Sequence, residues 1–352
     1  MVSPPAPLAA MTPRGGHKGL VLQILVGVVL GLLAAEWALS LYLFEHEANH
    51  DYLGRDALVP LAGERLYGHR PLHVAMAGRY GSIPPHGLAS DSGGFRQGGI
   101  PRDAPGVLTV LVLGASQMVG IGVADSRDLF AARLQERMEG RLNRHVRVFN
   151  AAQSGYLMPQ IRALGEDLIP RLRPHVVLVS LPYRVRHEQR LFQGGLEVVN
   201  GYLLPADRPL ALPWMDFLRT RSVLGMRILY GPLMRDLESR ITNLARRVGW
   251  IRPAPASSPW DYRDDLGLLA RLTQSWGGRM FPMPLGGGDS VDEALRGRGL
   301  DPIQIPSDPR YRWPGDGHWN SLGHAYAAEV VDSALAQRGL PVTVHPGVHG
   351  TH

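Results

Sequence analysis

From Gly19 to Ala35 the chain runs almost unbroken through Leu, Ile, Val and Gly, with Gln23 its one strongly polar side chain, and Trp37 to Phe44 extends the run. A bilayer-spanning helix needs about 20 predominantly apolar residues, and this stretch provides them if Glu36 sits at the outer interface beside Trp37 and Tyr42. Beyond residue 106 the pattern changes. Val107 to Leu113 is a β-branched and Leu-rich run that meets Gly114-Ala115-Ser116 directly, as a strand buried on both faces does on entering a tight loop. From Asp128 to Leu142, the apolar positions Leu129, Phe130, Leu134, Met138 and Leu142 recur at helical spacing. Val146 to Asn150 reads as a second strand, Pro159 to Leu172 as a helix with Ile161, Leu164 and Leu168 inward, and Val176 to Leu181 as a third strand. Met280 to Leu285 adds another strand, and Ser321 to Gln337 a closing amphipathic helix that opens just after Asn320. Strands alternating with helices predict βαβ units and a parallel sheet in an α/β fold.

The domain organisation follows from these boundaries. Residues 1–18, rich in Pro, Gly and Ala, form a cytoplasmic disordered tail; 19–44 is a transmembrane anchor; 45–106, punctuated by Gly and Pro, is a connecting segment. Residues 107–340 are the main domain, with a mostly helical insertion around 185–278, and 341–352 is a second disordered tail. Within the insertion, helices are expected around 214–248 and near 262–276, separated by a Pro/Ser-rich break at 253–259. Arg14, His17 and Lys18 precede the apolar run, whereas Glu45, Glu47 and Asp51 follow it. The positive-inside bias therefore places the N-terminus in the cytoplasm, the helix in the inner membrane as a single pass, and the main domain in the periplasm or outside the cell. Cleavage near Ala34 and Ala35, as in a signal peptide, is the alternative, and it exports the domain equally.

Composition narrows the chemistry. The formal charge of +6 arises from Arg spread along the chain, with no dense basic block interleaved with aromatics, so no nucleic-acid partner is expected. The absence of Cys removes disulfides, thiolate metal sites and cysteine nucleophiles. His345, His349 and His352 have no carboxylate neighbours and read as tail residues, so neither a metal nor an organic cofactor is expected.

In a parallel sheet, ligands bind outside the carboxyl ends of the strands, and three sequence elements fall there. Ser116 lies just past the first strand, near a helix N-terminus whose free N–H groups can stabilise an oxyanion. Asn150-Ala151-Ala152-Gln153-Ser154-Gly155-Tyr156 is a small-residue loop in which Gly155 permits close backbone approach. Asp316-Gly317-His318-Trp319-Asn320 stands immediately before the last helix, where Asn320 or Ser321 also suits the cap. A serine becomes nucleophilic when a base takes its proton, and a histidine held by a carboxylate is such a base.

Together these blocks resemble the SGNH/GDSL hydrolase family, in particular its membrane-anchored bacterial members, over about residues 91–184 and 279–338. Asp91-Ser92-Gly93-Gly94-Phe95-Arg96 is similar to an Asn-x-x-Gly-Phe-Arg segment that precedes the first strand there, and Gly114-Ala115-Ser116 resembles the Gly-Asp-Ser block. The resemblance implies a three-layer α/β/α, flavodoxin-like fold. It further implies Ser116 as nucleophile, His318 as general base, Asp316 as orienting acid, and the Ser116 and Gly155 N–H groups as oxyanion donors. Two departures stand out. Ala115 replaces the Asp of the first block, and the oxyanion Asn of the third block has no match in Ser180-Leu181-Pro182-Tyr183-Arg184, where Arg184 falls near its place. Loss of one oxyanion donor costs about 10²–10³-fold in rate, so Arg184 is the candidate replacement. The Asp-x-His spacing of the last block resembles SGNH proteins linked to exopolysaccharide acetylation.

Arg184, Arg186, His187 and Arg190 form a basic cluster that reads either as a solvated face or, lining the cleft, as a site for an anionic substrate. Arg184, Arg186 and Trp319 are the substrate-binding candidates. The expected activity is an extracytoplasmic serine O-acyl esterase or acyltransferase acting on a glycan or small acyl ester, with a polysaccharide-export or acyl-donor membrane protein as a partner. The alternative is an inactive SGNH-like domain that binds glycan or organises an envelope complex. A more remote alternative is a dinucleotide-binding Rossmann protein, since Gly114 to Gly120 resembles a nucleotide-binding turn. Gln117 stands there where the middle Gly admits the pyrophosphate, and the second strand ends without an acidic residue.

Overall fold

A computed structural model of the chain describes residues 16–46, 58–61, 63–65, 67–77, 82–84, 86–96, 106–181, 196–199, 202–205, 222, 224, 240, 244, 262–285 and 289–340. The N-terminal apolar run forms one helix, α1 (Gly16–His46), and its Gly19–Ala38 stretch is long and apolar enough to cross a membrane by length and composition. From Leu20 to Leu33 its Leu, Ile and Val side chains are exposed, unlike those of a buried core helix. A signal sequence has the same properties.

Four short strands follow: β1 (Leu58–Pro60) pairs antiparallel with β2 (Tyr67–His69), and β3 (Val74–Ala77) with β4 (His86–Ala89). The sheet then starts with β5 (Leu108–Leu113), whose side chains are buried nearly throughout, as expected of a central parallel strand. Ser116–Val119 makes a single turn, α2, and α3 (Phe130–Leu142) leads to β6 (Val146–Asn150). Next come α4 (Met158–Leu172) and β7 (Val176–Leu181). The antiparallel pair β8 (Leu196–Val199) and β9 (Tyr202–Pro205) precedes α5 (Tyr262–Gln274) and β10 (Arg279–Pro284). The chain closes with α6 (Asp289–Arg296) and α7 (Ser321–Gln337).

Among the described residues the main sheet has four parallel strands in the order β10-β7-β5-β6. The chain steps from β5 to β6, then crosses back over β5 to reach β7, and this reversal forces successive helices onto opposite faces. Accordingly α3 packs with α7 on one side and α4 with α5 on the other, giving three layers. Arg141 of α3 bonds Asp332 of α7 at 2.8 Å, and Arg162 of α4 bonds Asp265 of α5 at 2.9 Å. His324 of α7 accepts from the Phe130 N–H at 3.0 Å, satisfying a donor that the start of α3 would otherwise leave orphaned. The fold is thus the expected α/β/α class, and reversal of strand order beside β5 creates the crevice where such sheets bind ligands.

The described part of the 45–106 segment belongs to the same core. Tyr67, Ile83, Leu88 and Phe95 are buried with the sheet residues, and the Phe95 ring meets Phe149 of β6 edge-on at 5.1 Å between centroids. Asp91 Oδ1 accepts from the N–H groups of Gly93 (2.8 Å) and Phe95 (3.0 Å), a local turn that aims Phe95 and Arg96 inward. The expected helices around 214–248 and the two tails lie outside the described residues, apart from isolated positions and the first turn of α1.

Two fully buried imidazoles make the fold sensitive to acid. Burial first, and the charge of Arg96 second, lower His69 to about 4 and His324 to about 3. Unfolded chains bind a proton at each ring near pH 6.5 while the folded chain stays neutral there. Stability is therefore fully present above about pH 6.5 and declines as pH falls toward 4, by up to about 1.4 kcal/mol per pH unit per histidine. Urea midpoints measured from about pH 7 down to about pH 4.5 should fall steadily, and a flat profile contradicts the neutral buried state.

Candidate active site

Strand β5 ends at Leu113, and Gly114 lets the chain turn tightly beside β7: a Cβ there would stand 2.8 Å from that of Ser180. Ser116 opens α2, whose Met118 and Val119 N–H groups donate back to Ala115 O at 2.9 and 3.2 Å. Gly120 ends the turn with φ +80° and donates to Ser116 O at 3.1 Å. The Gly155 loop lies alongside, since Ala151 N–H donates to Val112 O (2.9 Å) and Gln153 N–H to Gly114 O (3.1 Å). Gly155 sits in its outer bend with φ +71°, a conformation that suits glycine. Among the described residues, neither the Ser116 nor the Gly155 amide donates to a protein acceptor.

The third block arrives from the other end of the chain as a tight loop. Trp313 N–H donates to His318 O and Asp316 N–H to Trp313 O, each at 3.0 Å, and Arg312 bridges antiparallel to Trp319. Asn320 then caps α7 by accepting from Gly323 N–H at 2.9 Å, while its amide donates to Arg310 O and Arg312 O. This cap and loop deliver the imidazole to the mouth of β5. His318 Nε2 lies 2.8 Å from Ser116 Oγ, and His318 Nδ1 lies 2.6 Å from Asp316 Oδ1. The same carboxylate oxygen accepts the His318 backbone N–H at 2.7 Å. An ionised carboxylate only accepts, so it fixes the proton on Nδ1 and leaves Nε2 free to receive the serine proton. The His318 and Asp316 side chains are 13% and 10% exposed, so water screens their pairing only weakly.

Of the residues anticipated from sequence, Ser116, His318 and Asp316 form one hydrogen-bonded row, and Gly155 occupies the adjoining loop. Arg184 and Arg186 lie outside the described residues. Trp319 requires correction. It is 4% exposed, packs against the Phe130 ring and edge-on to His324, and donates both N–H groups to the Gln117 carboxamide oxygen at 3.2 and 3.0 Å. Trp319 therefore latches the histidine loop to the serine turn and has no face free for substrate. That latch also answers the dinucleotide alternative, because Gln117 is committed to Trp319 and α2 is a single turn. No group of three metal-ligating side chains exists among the described residues.

Sequence reasoning passed over the side chains that brace the site. Asn150 Nδ2 donates to Met118 O at 2.8 Å, and Arg96 donates to three carbonyls at and just after the end of α2. The Gly-Phe-Arg resemblance pointed at Arg96 without indicating what it holds.

The chain aligns with several solved structures over about two thirds of its length. A structure of TesA aligns with 65% of this chain and 98% of its own, at 15% identity and a TM-score of 0.37. The psychrotrophic esterase EstA from Pseudoalteromonas sp. aligns with 65% and 97%, at 11% identity and 0.37. A family 3 carbohydrate esterase from Clostridium thermocellum aligns with 66% and 98%, at 13% identity and 0.32. No family model and no curated protein matches the sequence. At these identities and scores the likeness leaves the chemistry to be read from the side chains themselves.

Gly122 gives a local test of how tightly the site is braced. It has φ +86°, and a Cβ there would stand 2.5 Å from Trp313 Nε1 and 2.8 Å from Ile83 Cγ2. Gly122→Ala should lower unfolding stability by about 1–3 kcal/mol through backbone strain and overpacking, measurable by denaturant titration.

Proposed function

We propose that the chain is an SGNH/GDSL-type serine hydrolase that cleaves or transfers O-acyl groups through a covalent acyl-enzyme. The observation that carries this reading is the row Ser116–His318–Asp316, closed by hydrogen bonds of 2.8 and 2.6 Å across 202 positions of sequence. His318 Nε2 takes the Ser116 proton as Oγ attacks the ester carbonyl, and Asp316 stabilises the imidazolium that forms. The tetrahedral oxyanion is held by the Ser116 and Gly155 N–H groups, with Arg184 as the candidate third donor. His318 then returns the proton to the leaving alcohol, and the acyl group passes from Ser116 to water or to a sugar hydroxyl.

The substrate we assign is an acyl ester of a cell-envelope or secreted glycan. Three features support it: the apolar N-terminal helix with its charge asymmetry, the Asp-x-His resemblance to acetylation-related proteins, and the basic residues expected near the cleft. A polysaccharide-export or acyl-donor membrane protein is the corresponding partner for the transferase form.

A serine-directed fluorophosphonate tests the mechanism on the full chain in detergent. Wild type should be labelled, Ser116→Ala should not, and His318→Ala should turn over an acetyl ester at least about 10³-fold more slowly. Asp316→Asn should lose about 10⁴-fold, since the amide favours the wrong tautomer. An unlabelled wild type instead supports a domain that binds glycan without catalysis. Acetate release from an O-acetylated glycan, compared with cleavage of a long-chain ester, separates a glycan substrate from a lipid one.

A further inference from the structure

Arg96 is 4% exposed and meets no carboxylate among the described residues. Nη1 donates to Val119 O at 2.9 Å and Gly120 O at 2.6 Å, while Nη2 donates to Val123 O. Burial lowers its pKa only to about 10, so the group remains charged at neutral pH. Burying an unpaired cation is costly, and here carbonyl dipoles alone offset that cost. All three carbonyls belong to the backbone that ends and follows the single turn carrying Ser116.

That turn has little stability of its own. A one-turn helix cannot repay its nucleation cost, and its last carbonyls have no intrahelical donors. It is followed by two glycines at φ +80° and +86°, Gly120 and Gly122, which make the backbone soft unless held. Arg96 donates to Val119 O and Val123 O and adds a second bond to Gly120 O, which also accepts the Val123 N–H at 3.1 Å; Gly120 N–H returns a bond to Ser116 O, so one residue separates the guanidinium from the serine's own hydrogen-bond network. Neighbours of Arg96 complete the grip. His86 Nδ1–H donates to Pro84 O (3.0 Å), leaving Nε2 to accept the Gly122 N–H (2.9 Å). Ser82 Oγ donates to Pro314 O at 2.5 Å, tying the same stretch to the loop that carries His318.

We propose that Arg96 is a positioning residue for the nucleophile: by clamping the carbonyls of Val119, Gly120 and Val123 it fixes the turn that presents Ser116 to His318. This rests on Ser116 being the nucleophile. Arg96 makes no contact with the reacting atoms and acts through the backbone. An attack geometry displaced by about 1 Å costs about 10²-fold in rate, so the clamp acts on the chemical step and leaves substrate affinity unchanged.

The test uses the full chain in detergent, with Arg96→Met, which removes the donors, and Arg96→Lys, which retains the charge without the forked geometry. Two quantities are read: the kinetics of fluorophosphonate inactivation, split into maximal rate and half-saturation, and hydrogen exchange of residues 116–123 against β5. Arg96→Met should lower the maximal rate by about 30–100-fold with half-saturation within about twofold, and Arg96→Lys should recover part of the loss. Exchange in 116–123 should quicken while β5 stays protected. If Arg96→Met fails to fold, the Lys variant carries the same comparison, with a smaller loss expected. Unchanged inactivation, or β5 and 116–123 loosening together, overturns the proposal. A wild type inert to the phosphonate ends the hydrolase reading instead, and the exchange comparison then still decides whether Arg96 holds the turn.

Discussion

The structure depends on bringing together two ends of the chain that have no reason to meet except through the sheet. A hydroxyl at the mouth of β5 faces an imidazole carried by the loop before α7, and 2.8 Å separates them. Neither group sits on a long regular element: Ser116 belongs to a single turn, and His318 to a loop of six residues between Trp313 and its partner carbonyl. The rigidity comes from behind. Strand β5 is buried on both faces, α7 packs against α3, and the Asn320 cap fixes where the last loop ends and the helix begins.

The braces converge on the same two segments from different parts of the fold. Trp319 and Gln117 join the histidine loop to the serine turn directly. Asn150, at the end of β6, holds Met118 O, and Gln153 just beyond it accepts His69 N–H and donates to Gly94 O. Arg96, the one buried guanidinium among them, has no compensating carboxylate among the described residues and lies near three imidazoles. Its charge helps to keep His69, His86 and His324 uncharged, after burial itself. Packing and electrostatics thus act together, since a ring that stays neutral can accept a backbone N–H, as His86 does from Gly122 and His324 from Phe130.

Much of the frame was legible in the sequence because parallel strands and amphipathic helices leave long, periodic signatures. Val146–Asn150, Val176–Leu181 and Ser321–Gln337 appear with the bounds that their patterns suggest, and α3 and α4 within two residues. The meeting of Ser116, His318 and Asp316 was legible too, because each stands at the end of a recognisable strand or just before a helix. What was hidden had no period to show. Strands β1 to β4 are three or four residues long and sit among Gly and Pro, too short for an alternation to register. Trp319 was a substrate-binding candidate, and only the fold shows both of its N–H groups spent on Gln117. Arg96 bonds carbonyls, which every residue has, so no partner residue type could have announced it.

The stretch between the membrane-type helix and the first sheet strand has one further consequence. Tyr67, Ile83 and Phe95 are part of the interior, and Ser82, His86 and Arg96 bond the segments beside Ser116 and His318. This stretch is therefore no mere stalk. A chain begun at β5 would retain Ser116, Asp316 and His318 yet lack the contacts that tie the segment after α2 and the loop carrying His318 to this stretch. A boundary drawn through this stretch would remove buried core side chains together with those ties, leaving the Ser116 turn and the His318 loop without their support.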